Sequence, residues 1–298
     1  MNILILGGKG FLGKNCSQAM CKQHRVWVAD RIDGHDANYF KAELNDSETI
    51  KKIIVENSIE CVLHFVSSII PSSNVFQYKA DVENIYLPTI DLLEFCAANN
   101  VKFVYLSSGG AVYGKQREIF NEHTKRSPIS LYGLSKLNFE NLIQFYHETA
   151  GLDYLIIRPS NPYGYGQNIY GKQGLIAVII GKIINNEPIV IWGDGSAIKD
   201  YIFIDDFTFY LNALISKDIA WNHTYNIGSG CGNSVNDVLD AFRSNNIKLP
   251  KIEYIASKNS DVSRMILDCT RLQEIIPHNN KTLNDGVKIF YEQVLNAK

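Results

Sequence analysis

Residues 3–13 read Ile3-Leu4-Ile5-Leu6-Gly7-Gly8-Lys9-Gly10-Phe11-Leu12-Gly13. Four apolar residues of strand-forming type run straight into a glycine-rich turn, and an amphipathic stretch from Leu12 to Lys22 follows. Glycines at 7, 10 and 13 give the spacing G-x-x-G-x-x-G between a strand and a helix. Such spacing allows a tight backbone turn. It also lets a pyrophosphate approach the helix N-terminus, where unpaired N–H groups and the helix dipole favour anions.

Outward from that turn, short apolar runs alternate with longer amphipathic ones. Strands are predicted at Ile3–Leu6, Arg25–Ala29, Cys61–Phe65, Lys102–Leu106 and Tyr154–Arg158. Helices are predicted at Leu12–Lys22, Ser47–Asn57, Val82–Asn99 and Tyr132–Thr149. This is the pattern of βαβ units, and it predicts an α/β fold: a doubly wound, Rossmann-type parallel sheet with a smaller C-terminal substrate domain. After Pro159 the texture changes to Asn, Gly, Pro and Tyr. The expected division is a dinucleotide-binding domain over 1–165, rejoined by 200–216, and a substrate domain over 166–199 and 217–298. Asp30 ends the second strand 17 residues beyond Gly13, where a carboxylate binds the adenosine ribose hydroxyls and repels a 2′-phosphate. NAD is therefore the expected cofactor, with NADP less favoured; Arg31, next in the chain, is able to pair with such a phosphate.

The chain has 298 residues, 46% hydrophobic and 20% charged, which suits a large α/β domain or two packed ones and excludes a disordered or fibrous protein. Its formal charge is −2, so no global basic field exists to hold nucleic acid or anionic lipid. The opening apolar run is far shorter than the ~20 residues of a membrane span, and a cytoplasmic protein is expected. Cys16, Cys21, Cys61, Cys96, Cys231 and Cys269 show no C-x-x-C spacing and read as reduced core thiols. The seven histidines show no metal-ligand spacing, and no metal is expected.

Ser107-Ser108-Gly109-Gly110-Ala111-Val112-Tyr113-Gly114 follows a predicted strand, and Tyr132-Gly133-Leu134-Ser135-Lys136 opens a predicted helix. On a helix Tyr132 and Lys136 share one face. An ammonium there stabilises the phenolate and makes the tyrosine usable as base or acid. Y-x-x-x-K alone says little, since Tyr254…Lys258 repeats it. The order is what singles out Tyr132 and Lys136: glycine turn, acidic strand end, Ser-Ser strand end, then the pair.

That ordered set resembles the extended short-chain dehydrogenase/reductases, in their nucleotide-sugar epimerase/dehydratase branch, with the pattern of 4-epimerases. Further motifs extend the resemblance over nearly the whole chain: Glu43-Leu44, His64-Phe65-Val66-Ser67, Asn84…Thr89 (similar to N-x-x-G-T), Arg158-Pro159-Ser160-Asn161-Pro162-Tyr163-Gly164, Ile191-Trp192-Gly193-Asp194-Gly195 and Lys199-Asp200-Tyr201-Ile202. The resemblance implies that Gly7, Gly10, Phe11, Leu12, Gly13, Asp30, Glu43, Leu44, Ser107, Tyr132 and Lys136 hold the dinucleotide. It makes Tyr132, Lys136 and Ser108 the catalytic group. It places Asn161, Gly174, Leu175, Val190, Trp192, Lys199, Lys258 and Asp261 on the sugar nucleotide, with Trp192 stacking on the base. Lys199 and Lys258 stand where 4-epimerases usually carry arginines, so they offer point charges without a bidentate fork.

One position departs from the family. Its catalytic Ser or Thr falls on Gly109, leaving Ser108, Ser107 or an ordered water to supply the hydroxyl. Gly110-Ala111 replaces the Asp-Glu of the 4,6-dehydratases, which argues against loss of water. The implied activity is NAD-dependent epimerisation at C4 of a UDP-hexose (UDP-glucose/UDP-galactose or the N-acetyl forms) through a transient 4-keto sugar. The alternative is an NAD(P)H-dependent reductase of a 4-keto nucleotide sugar. Met265 lies where 4-epimerases limit bulk at the sugar's C2. A homodimer through two helices of the cofactor domain is expected, from the apolar stripes of Val82–Asn99 and Tyr132–Thr149.

Overall fold

The computed structural model describes residues 1–115, 119–171, 173–256 and 264–297. It divides into two compact units. The first comprises Met1–Gly114, Lys125–Arg158 and Thr208–Tyr225, and the second Lys115–Thr124, Pro159–Phe207 and Asn226–Lys298. Residues 159–165 and 200–207, placed with the cofactor domain by sequence, group with the second unit, as does the short segment Lys115–Thr124, whereas 217–225, placed with the substrate domain, group with the first.

The first unit begins β1 (Asn2–Leu6), α1 (Phe11–Met20), β2 (Arg25–Asp30), β3 (Tyr39–Lys41), α2 (Ser47–Glu56) and β4 (Cys61–His64). It continues α3 (Val75–Asp81), α4 (Leu87–Ala98), β5 (Lys102–Leu106), α5 (Gly109–Val112), α6 (Leu131–Ala150) and β6 (Tyr154–Pro159). In chain order β7 (Asn161–Tyr163), α7 (Leu175–Asn185), β8 (Ile189–Trp192), β9 (Ile198–Phe203), α8 (Ile204–Ile215) and β10 (His223–Ile227) follow. The chain ends with β11 (Gly232–Ser234), α9 (Val235–Ser244), β12 (Ile252–Ile255), β13 (Arg264–Met265), α10 (Thr270–Ile275) and α11 (Leu283–Asn296).

Seven strands form the main sheet in the order β10-β6-β5-β4-β1-β2-β3, and every pairing from β6 to β3 is parallel. All residues of β4 and β6 are buried, which explains why 61–63 and 154–157 are continuous apolar runs without alternation. Strand order reverses between β1 and β4, the place where doubly wound sheets open a crevice at their carboxyl ends. β3 is short and only partly buried, so it left no apolar signature to predict it by.

The single helix expected over Val82–Asn99 is a composite. α3 precedes it, and a π-turn over Val82–Tyr86 joins α3 to α4, with Leu87 N–H bonded to Val82 O. Asn84 stands five positions before Thr89, one more than N-x-x-G-T provides, and a π-turn accommodates one additional residue in this way. The Thr89 hydroxyl donates to Ile85 O at 2.6 Å and so accepts from His64 Nε2 at 3.1 Å. This fixes the ring as the Nε2–H tautomer.

The second unit holds a sheet ordered β11-β9-β13, with β7 also paired to β9, and a two-stranded parallel pair of β8 with β12. Cys16, Cys61, Cys96 and Cys269 are buried free thiols, whereas Cys21 and Cys231 are exposed, a correction to their reading as core. Among the described residues no helix is long and apolar enough to cross a membrane, and no group of His, Cys, Asp or Glu is arranged to hold a metal.

Candidate functional site

Gly7 ends β1 with φ +80°, and Gly10 N–H returns to Gly7 O at 3.2 Å. A Cβ at Gly13 would lie 2.4 Å from Gly7 O, so only glycine lets α1 seat this closely on the turn. Gly8, not singled out by the spacing, is equally constrained, for its Cβ would meet Val28 Cγ1 at 2.4 Å. Gly10 occupies the N-cap of α1 without a side-chain cap, and no acidic residue stands in the first turn. By contrast Asp46, Ser130, Ser234 and Thr282 cap α2, α6, α9 and α11.

Beside this helix start lies a cavity of about 430 Å³. Gly7, Gly10, Asp30, Glu43 and Leu44 line it, all expected at the cofactor, and so do Lys9, Arg31, Ser67, Ser68 and Asn84. Asp30 Oδ2 accepts Lys9 N–H at 2.9 Å and Oδ1 accepts Ile32 N–H at 3.3 Å, which pins the carboxylate at the strand end. Phe11, Leu12 and Gly13 form the first turn of α1 instead of lining the cavity. An uncapped helix start, a glycine-rich turn and a carboxylate at the end of β2 together fit a dinucleotide.

Tyr132 is the second residue of α6, whose N-cap Ser130 accepts Gly133 N–H at 3.1 Å. The Ser108 side chain acts on the Tyr132 phenol, lowering its hold on the proton. Ser108 is the N-cap of α5 but makes no side-chain cap bond, so its hydroxyl is not consumed by the backbone. Lys136 Nζ donates to Leu106 O at 2.8 Å and stands 5.7 Å from the Tyr132 ring centroid and 5.0 Å from that of Tyr105. Burial pushes Lys136 down to about 8, against the pull of the Asp81 and Glu140 carboxylates. Desolvation raises Tyr132; the Ser108 side chain lowers it and Asp81 adds to the rise.

Ser107, expected at the cofactor, is buried with its hydroxyl donated to Glu140. Glu140 also takes Arg158 as a two-point pair, Nε to Oε1 at 2.9 Å and Nη2 to Oε2 at 2.7 Å, while Arg158 Nη1 reaches the Tyr113 hydroxyl at 2.8 Å. Sequence reasoning passed over Glu140 although spacing pointed to it, since Tyr132, Lys136 and Glu140 fall at i, i+4 and i+8 on one helix face. It also passed over Asp81, a lone acidic residue with no signature.

In the second unit Asn161 Nδ2 donates to Asp200 O at 2.8 Å. The buried Asp200 carboxylate accepts N–H bonds from Ser229, Gly230 and Leu267. Burial raises it and these bonds pull it back down. Gly174 has φ +83° and is the N-cap of α7, which Leu175 opens. Along β8, Ile189 and Ile191 are buried while Val190 and Trp192 are exposed, so the latter two share one open face. Lys199 pairs in register with Met265, which is buried. Lys258 and Asp261 lie outside the described residues.

Residues 3–228 match the model of the NAD dependent epimerase/dehydratase family. The chain is 30% identical over 297 residues to a putative UDP-glucose 4-epimerase of Methanocaldococcus jannaschii, covering 96% of each. It is 29% identical over 300 residues to a dTDP-4-dehydro-6-deoxyglucose reductase of Escherichia coli, covering 96% of this chain and 95% of the other. The crystal structure of UDP-glucose 4-epimerase with UDP-glucose from Thermotoga maritima superposes with a TM-score of 0.90 at 28% identity, over 100% of this chain and 99% of that one. The matched family model, the doubly wound sheet and the dinucleotide groove agree: this chain is an enzyme of the NAD-dependent epimerase/dehydratase family.

Proposed function

We propose that the enzyme interconverts the C4 epimers of a UDP-hexose. The observation that carries this reading is the Tyr132/Lys136 pair on α6, with Ser108 acting on the tyrosine, in the unit that holds the dinucleotide groove. NAD, when bound, accepts hydride from sugar C4 and gives it back. Tyr132 takes the proton of the C4 hydroxyl as the C4–H bond breaks, so a 4-keto sugar forms with charge balanced. Lys136 favours the phenolate form of Tyr132 by its charge, and the Ser108 hydroxyl orients the phenol oxygen. With hydride given back to the opposite face of C4, Tyr132 would return its proton to the C4 oxygen, and the configuration at C4 would be inverted.

In this reading Gly7, Gly10, Gly13 and Asp30 hold the dinucleotide, with Glu43 and Leu44 at its adenine. Asn161, Gly174, Leu175, Val190, Trp192 and Lys199, together with Lys258 and Asp261, take the UDP-sugar, with Trp192 presenting its exposed face to the base. Exposed Leu87 on α4, with Leu134 and Phe145 on α6, supports a homodimer through those helices.

A second reading, net reduction of a 4-keto nucleotide sugar, is favoured by Gly109 and by the similarity to the E. coli reductase. One experiment separates them: incubation with UDP-glucose and with UDP-N-acetylglucosamine plus catalytic NAD, products resolved by NMR. An equilibrium mixture containing the galacto sugar, without net NADH, is expected. Failure to convert either sugar, together with stoichiometric NAD(P)H oxidation by a 4-keto substrate, would establish the reductase.

A further inference from the structure

Asp81 closes α3 at the point where the π-turn begins, and its side chain is buried. A carboxylate out of water must be met by hydrogen bonds or by charge. Two hydroxyls meet it: Ser68 Oγ donates to Oδ1 at 2.5 Å, and Ser135 Oγ donates to Oδ2 at 2.9 Å. Ser68 belongs to the wall of the dinucleotide groove, and Ser135 immediately precedes Lys136 on α6. One carboxylate thus ties the groove wall to the helix that carries Tyr132 and Lys136.

Neither serine neutralises the charge. The carboxylate acts on the Lys136 ammonium, on Tyr132 and on Tyr105 through the interior. The other groups facing Lys136 are Glu140 and Tyr132 from α6, Tyr105 from β5 and His64 from β4. Glu140 is already engaged by Arg158 at 2.7 Å and by Arg126 at 3.3 Å. Among the described residues the Asp81 carboxylate is met by the two neutral hydroxyls, which leaves its charge to act on Lys136.

We propose that Asp81 is a positioning residue for proton transfer at Tyr132: held by Ser68 and Ser135, its carboxylate fixes the charge state of Lys136 and seats the start of α6 against the groove. The proposal rests on Tyr132 and Lys136 being the acid–base pair. Asp81 raises the affinity for protons at both groups, so its removal lowers both. The test is Asp81→Asn, with Asp81→Ser as a second variant should the first not fold. Two readouts are followed against pH: turnover, and the near-ultraviolet difference absorbance of the Tyr132 phenolate, taken against Tyr132→Phe partners. Both are expected to move to lower pH by about one unit, while Ser135→Ala, which keeps the carboxylate, lowers turnover without moving the profile. Superimposable profiles and an unmoved phenolate titration in the Asp81 variants would overturn the proposal. Full turnover by Tyr132→Phe would instead overturn the base assignment, and the phenolate titration would still report whether Asp81 acts on Tyr132.

Discussion

Glycine at 109 removes the family hydroxyl, and the side chain of Ser108, the N-cap of α5 without a side-chain cap bond, acts on Tyr132 to lower its hold on the proton. Ser107 takes a different path because its hydroxyl goes to the buried Glu140. The sequence favoured Ser108 only as the nearest hydroxyl to Gly109, since which serine faces Tyr132 depends on how β5 runs into α5. His64 carries a separate consequence. Burial chiefly, and the Lys136 ammonium in addition, push it down to about 3, while in the unfolded chain it keeps the ordinary histidine value of 6.5. The unfolded state therefore binds the extra proton between those values, and stability is lost as pH falls through that window. At about pH 5 the loss from this group is about 2 kcal/mol relative to neutral pH. Denaturant unfolding at the two pH values checks it: His64→Leu is expected to show a smaller acid loss than the parent, and an equal loss would contradict the assignment.

At the level of elements, the glycine turn and the Tyr132/Lys136 face were legible because both depend on local spacing, glycine every third residue and i, i+4 on a helix. The π-turn between α3 and α4 was not, because an apolar stripe runs through Val82–Asn99, Pro88 at the start of α4 is the one local mark of a break, and the extra residue shows only against a motif. Partners far apart in sequence were equally hidden: Ser135 and Asp81 stand 54 positions apart, and Arg158 and Glu140 stand 18 apart on different elements. α6 is anchored to β6 by that last pair, both members almost fully buried. Removing one member leaves an uncompensated buried charge. Arg158→Met and Glu140→Gln are each expected to cost about 3–5 kcal/mol of unfolding free energy, and the double replacement far less than their sum. A double-mutant cycle in urea measures this, and small additive losses would show the pair to be energetically idle.

For the whole molecule, the seven-stranded sheet followed from repeated strand–helix alternation, and its strand order places the groove where the order reverses. Irregular composition after Pro159 gave the second unit no comparable period. Its short strands β7, β11 and β13 carry two or three residues each, too few for periodicity to mark. The first unit holds the groove beside α1 and the Tyr132/Lys136 pair; the second holds β8, along which Val190 and Trp192 are exposed. The proposed reaction is a closed cycle, in which hydride leaves and returns to the same carbon. UDP-galactose labelled with deuterium at C4, incubated with the enzyme and catalytic NAD, tests that cycle most directly. The account predicts UDP-glucose that keeps the deuterium at C4, with no build-up of reduced cofactor. Solvent hydrogen at C4, or cofactor turned over in proportion to sugar, would contradict it.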